Sequence, residues 1–382
     1  MMTSKERMIT AMKNEKPDMV PVAPDMSCYI PCKLAGKIAG KNFLDIFYHH
    51  APPIWKAYIE AVRYFKFDGW FIYGSPGIIY EKAEYECSRK VISQNKKQVL
   101  VRTSYKTPVG ELTAEEVFHT GECSQYPERL IKNFKDDFPK LRYLFPPVAE
   151  YDNSKYRQMK NDMGDDGAVG INVKVPGLHS LMGYFQGELT TALDAYYDNQ
   201  DMFSELVRLE AQQALSSTEI ALESSPDFLM LGASGLWLLS TPDIFREITL
   251  PTLKKQTKMA KDAGIPSFLH SCGRARGLVE ICANETDLNC INPIEPPPTG
   301  DCYLAEIKKK FGNKIAFMGN INTLSLMKTG SLKEIEEACI KAIDDAAHNG
   351  GFILSTADEL VYETPFENIF KMIDVARNYG KY

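Results

Sequence analysis

The sequence predicts an α/β chain of the (β/α)8 barrel (TIM barrel) class. Three observations predict it. Eight short apolar segments recur near residues 20, 69, 169, 228, 267, 289, 315 and 352. Helical patterns separate most of them. Reactive side chains stand just past several of their ends, where barrel enzymes keep their sites.

Taken in order, "SKERMITAMKN" (Ser4–Asn14) spaces Met8, Ile9 and Met12 as one helix face, and "DMVPVAP" supplies a short first strand around Val20–Ala23. Helix signals run through "NFLDIFYHHAPPIWKAYIEAVRYF", and "DGWFIY" reads as the second strand. Residues 74–167 then break the rhythm. "KVISQNKKQVLVRTSYKTPVGEL" predicts a hairpin with its turn near Gln94–Lys97. A segment this long is not a bare loop, so it is expected as an insertion on the face of a single barrel domain spanning residues 1–382. After it the alternation is regular: strand "AVGINVKVPG", two helices, strand "DFLMLG", then a helix in which Ser240 is the expected cap, Pro242 stands in the first turn and Gly264 ends it. Strands "PSFLH", "LNCINP", "KIAFMGN" and "FILST" follow, each with its helix.

Composition narrows the function classes. The chain has 382 residues, 44% hydrophobic and 25% charged, with a net charge of -6. This balance argues against a nucleic-acid binder. The Lys308-Lys309-Lys310 run is expected on a solvated helix face. The first residues lack the apolar core of a signal peptide and no apolar run is long enough to span a membrane. The nine cysteines form no C-x-x-C pair and are expected as reduced thiols of a cytoplasmic protein.

The strand ends carry the candidate chemistry. His270 and Cys272 in "FLHSCGR" are two apart, so both can aim into the barrel mouth. Imidazole and thiolate are good ligands for Zn2+, but a catalytic zinc needs a third protein ligand. Elsewhere the strand ends offer Asn172 and Lys174, Ser234, Glu295, Asn320 and Asn322, and Asp358 with Glu359. The alternative is an ordinary strand end with a packed cysteine and a histidine bonded to a backbone carbonyl.

Several stretches together resemble the uroporphyrinogen decarboxylase superfamily over nearly the whole chain: "ERMITAMKNEKPDMVPVAP", "LLSTPDIFREITLPTLKKQTKMAKDAGIPSFLHSCG", "CINPIEPPPTGD", "IAFMGNIN" and "GGFILSTADELVYETPFENIFKMIDVARNYG". The resemblance implies one of two activities. The first is cofactor-free decarboxylation of uroporphyrinogen, whose enzymes carry an arginine-rich segment after the first strand and a catalytic aspartate after the second. Here those places read "VAPDMSCYIPCK", with no arginine, and "FIYGSPG", with no acid. The second is zinc-dependent methyl transfer to or from a corrinoid (cobalamin) protein, whose motif is His-x-Cys plus a cysteine in the eighth-strand loop. His270 and Cys272 match it, and Asp358 stands near the place of the last cysteine, with Glu359 beside it.

The resemblance therefore implies a methyltransferase with Zn2+ held by His270, Cys272 and one of Asp358, Glu359 or Glu295. Its partners would be a small methoxy or thiol substrate and a corrinoid protein. His179, Asn172, Tyr73, Trp237 and Asn320 are the candidate substrate contacts, with Tyr29 at the rim. A carboxylate in place of a thiolate makes a harder Lewis acid and favours an oxygen-bearing substrate, so O-demethylation is the expected direction. The competing readings are a metal-free decarboxylase and a non-catalytic protein that binds a small molecule or corrinoid. The oligomeric state stays open, a homodimer included.

Overall fold

A computed structural model of the chain describes residues 1–74, 77–81 and 83–382. Seven parallel strands form one curled sheet in chain order: Gly69–Gly74, Gly167–Val173, Phe228–Gly232, Ser267–His270, Cys290–Asn292, Ala316–Ile321 and Phe352–Thr356. The expected first strand is reduced to a single parallel bridge between Val22 and Leu354. This short segment nevertheless closes the ring. Leu354 donates to the Pro21 carbonyl and Ala23 to the Leu354 carbonyl, while Asp68 donates to the Val22 carbonyl on the other side. Pro21 and Pro24 have no N–H, so no longer ladder can form.

Alternate residues of the strands face opposite ways. One set, including Trp70, Ala168, Phe228, Met230, Phe268 and Met318, fills the barrel interior, and Met8, Ala11 and Met12 of the Ser4–Met12 helix join it from below. The other set, including Phe71, Val169, Leu229, Leu269 and Phe317, packs against the surrounding helices. Two details of the helices differ from expectation. Thr241, not Ser240, caps the helix that begins at Pro242, accepting from the Ile244 N–H. Proline at the first helical position puts the cap one residue before it. Lys308 is not on a solvated face. It is 5% exposed and donates to the Gly350 and Gly351 carbonyls.

Between the first two strands of the sheet, residues Glu86–Gln94, Gln98–Thr107, Gly110–His119 and Gln125–Glu128 form a four-stranded antiparallel sheet. Its first turn lies where the sequence places it: Asn95 accepts through its side chain from the Lys97 and Gln98 N–H groups. One end of this sheet packs through Val99 and Val101 onto Leu44 and Ile46. The other packs through Leu112 onto a cluster with Leu178, Phe185 and Ile248. These partners follow the C-terminal ends of different barrel segments.

Candidate metal centre at the barrel mouth

The Ser267–His270 strand pairs in parallel with its neighbours, setting His270 opposite Gly232 on one side and Asn292 on the other. Phe268, two residues before His270, packs in the interior against Trp70 and Phe228. The same alternation lifts the His270 ring just above that apolar floor, where it is 9% exposed. Gly273, at φ 83°, then turns the chain in a conformation that disfavours a side chain, and its N–H donates to the Glu295 carboxylate. Cys272, just before this turn, is a half-buried free thiol.

The Asp358 side chain completes the group. One ligand atom each from His270, Cys272 and Asp358 lies within 4.8 Å of the others. Ligand atoms around a tetrahedral zinc with bonds of about 2.0–2.3 Å stand roughly 3.3–3.8 Å apart, so a small inward movement would let the three share an ion. Nitrogen, sulfur and carboxylate oxygen are a donor set that zinc accepts, with a fourth position left for a substrate. Asp358 has φ 139°, a strained value for a non-glycine residue of the kind that clusters at functional sites. Its carbonyl accepts from the Thr356 hydroxyl and its carboxylate from the Glu359 N–H.

The electrostatics of the mouth are acidic. Burial by itself lowers the His270 pKa, but the hydrogen bond to Cys272 and the charges of Asp358 and Asp25 together raise it to about 9. Asp25 is pushed up to about 6, first by burial and then by Asp358, against the opposing Ser27 hydrogen bond and His270. Burial and then Asp25 raise Glu359 to about 7, against the amides that bind it. Among the described residues no lysine or arginine forms an ion pair with Asp25, Glu295, Asp358 or Glu359, whereas Asp68 and Asp227 each have two such partners. A mouth with uncompensated acids suits a cation.

The other candidate residues are placed as follows. Glu359 accepts from the Cys28 and Tyr29 N–H groups at the start of the Tyr29–Ala39 helix, and Glu295 holds the Gly273 turn; both carboxylates are spent orienting backbone beside the ligand group. Asn172 is exposed at its strand end. Asn320 is half-buried and lines a groove with Tyr303 and Leu326. Trp237 packs edge-on against Phe245, over Gly277. His179 lies close to Gly177, and burial followed by the charge of Lys174 lowers its pKa to about 4. The side chain of Tyr73 lies outside the described residues. Lys174 is engaged by Glu210 and Tyr184. The Cys28 and Cys32 thiols are both pushed up by burial and then by Glu359, Cys32 to about 12, which disfavours the thiolate a metal needs.

Sequence reasoning missed Asp25 and Asn292. Asp25 follows the degenerate first strand, where its only signal was position. Asn292 ends a strand of three residues and accepts from His270 Nδ1 at 3.1 Å.

A barrel with a histidine, a cysteine and a carboxylate converging at its mouth is the frame against which known proteins compare. The sequence profile of the uroporphyrinogen decarboxylase (URO-D) family matches residues 175–379. The chain belongs to this family. It is 23% identical over 241 residues to the methylcobamide:CoM methyltransferase MtbA of Methanosarcina mazei, covering 58% of this chain and 67% of that protein. It is 22% identical to the Methanosarcina acetivorans MtbA, over 54% of this chain and 59% of the relative. A solved methyltransferase structure from Methanosarcina mazei superposes with a TM-score of 0.66 at 13% identity, covering 99% of both chains, which shows the shared fold. Among the described residues no helix is long and apolar enough to cross a membrane.

Proposed function

We propose that this chain is a methyltransferase that moves a methyl group between a small substrate and a corrinoid carried by a partner protein, with zinc held by His270, Cys272 and Asp358. The observation that carries the reading is the convergence of those three ligand atoms at the mouth, in a chain related to methylcobamide:CoM methyltransferases. Zinc bound there supplies a Lewis acid for the heteroatom that gains or loses the methyl group. The residues do the rest. His270 has Nδ1 occupied by Asn292, which leaves Nε2 as the nitrogen to meet the metal. Asp358, fixed by Thr356 and the Glu359 N–H, brings an oxygen where the resemblance places a sulfur, which favours a methoxy compound over a thiol as substrate. The apolar floor of Trp70, Phe228 and Phe268 keeps water from beneath the reacting centre. A methyl group carries no handle of its own, so catalysis rests on positioning and electrostatics.

A metal-free decarboxylase acting on a polycarboxylate fits less well, because such a substrate needs cationic partners and the acids at this mouth would repel it. A non-catalytic binding protein is separated from an enzyme by turnover.

The test is the metal content of the purified protein beside Cys272→Ser and Asp358→Ala, followed by methyl transfer from methoxy compounds to a corrinoid. About one zinc per chain, lost in both variants, with demethylation by the wild type, is the expected result. Absence of zinc in the wild type after reconstitution overturns the reading. Zinc without transfer leaves the binding protein.

A further inference from the structure

We propose that Asn292 is the positioning residue of the candidate metal centre: its side-chain oxygen accepts the Nδ1–H of His270, fixing the tautomer in which Nε2 is free to meet a metal beside Cys272 and Asp358. This rests on the zinc reading above and extends it to a residue that touches neither metal nor substrate.

Three observations carry it. His270 and Asn292 are direct partners on adjacent parallel strands, so their side chains leave the sheet side by side. The Nδ1 to Oδ1 distance is 3.1 Å, and Asn292 is 1% exposed, so water does not compete for the contact. Beyond Asn292 the ring meets only partners that a metal would share or displace: the Cys272 thiol, itself one of the three candidate ligands, hydrogen-bonds the ring, and the Ser234 hydroxyl stands 3.5 Å from Nε2, at the limit of a hydrogen bond. The backbone reinforces the pairing: Ser271, next to His270, donates its N–H to the Asn292 carbonyl. Partners of this kind orient a ligating histidine, and losing one typically weakens metal binding about 10–100-fold.

The acceptor is the essential feature, which makes the two obvious variants diverge. Asn292→Asp keeps an acceptor and Asn292→Leu keeps only the approximate size. The full-length protein would be titrated with zinc alone against a chromophoric chelator, with circular dichroism and thermal melting to show that each variant folds. We expect Asn292→Leu to bind zinc about 10–100-fold more weakly and Asn292→Asp to match or exceed the wild type. In parallel, two-bond proton–nitrogen NMR of the zinc-free protein, in alkali where the ring is neutral, should report the Nδ1–H form of His270 in the wild type and Asn292→Asp. Asn292→Leu should shift it toward the Nε2–H form. Wild-type zinc affinity in Asn292→Leu, or an Nε2–H ring in the wild type, overturns the proposal. A wild type that takes up no zinc overturns the metal reading instead, and the tautomer measurement still decides the role of Asn292.

Discussion

The two ends of the barrel bury charge in opposite ways. At the bottom, Asp68 is 0% exposed and meets Arg7 at 2.7 Å, Arg377 at 2.9 Å and the Val22 N–H at 2.9 Å. Burial opposes the charge of Arg7, but Asp18 and Asp68 outweigh it and raise its pKa. Every charge there has a partner of opposite sign, and the cluster ties the first helix, the degenerate first strand and the last helix together. At the mouth, Asp25, Asp358 and Glu359 are held by hydroxyls and backbone N–H groups, and among the described residues no lysine or arginine pairs with them. The bottom is a finished structural joint. The mouth gathers acids without such partners, an arrangement that the proposed zinc would complete. Buried charge signals a site when its compensation is missing, not when it is merely buried.

Four experiments sharpen or break this contrast. The largest effect is expected at the mouth, where His270→Ala or Cys272→Ser should take zinc from about one equivalent toward none and abolish methyl transfer, by elemental analysis and a demethylation assay. Retention of zinc by both would remove the mouth from consideration. At the bottom, Asp68→Ala leaves two arginines without their buried partner and should cost about 3–5 kcal/mol in urea denaturation, while the folded fraction still binds zinc. A smaller effect is expected from pH. The Asp25 carboxyl is raised from 3.8 to about 6 in the folded chain. At this group the native state therefore binds more protons than the unfolded state between these values, and the contribution of Asp25 to the stability of the zinc-free protein falls as pH rises through that window. Asn at position 25 should flatten that slope, whereas an unchanged slope would mean that Asp25 does not feel the burial and the acids around it. The smallest effect belongs to the exposed Arg102–Glu115 pair of the inserted sheet, where Arg102→Ala should change stability by less than about 1 kcal/mol and leave zinc binding alone.

Much of the barrel was legible because strand and helix periods are local. The apolar runs around Phe228, Phe268 and Phe352, and the hairpin turn at Asn95, needed no tertiary information. The first strand was over-read, since an apolar run flanked by prolines looks like a strand until its hydrogen-bond partners are counted. Lys308 was misread for a related reason: a run of lysines looks solvated, yet the carbonyls that take up one of them belong to Gly350 and Gly351, some forty residues away. At the site, His270 and Cys272 were legible because a two-residue spacing at a strand end fixes their direction. Glu359 and Glu295 were indistinguishable from ligands, because whether a carboxylate faces a metal or a backbone N–H is settled by residues distant in the chain.

The sequence by itself determined the order of the barrel's strands and helices and the His-x-Cys pair at a strand end, since each follows from local period and spacing. Only the tertiary structure brought Asp358, rather than Glu359 or Glu295, together with that pair, set Asp25 near it, and placed the Asn292 side chain against His270 Nδ1. Those assignments depend on the register of neighbouring strands and on which polar groups are already satisfied, and both are properties of contacts between segments far apart in the chain.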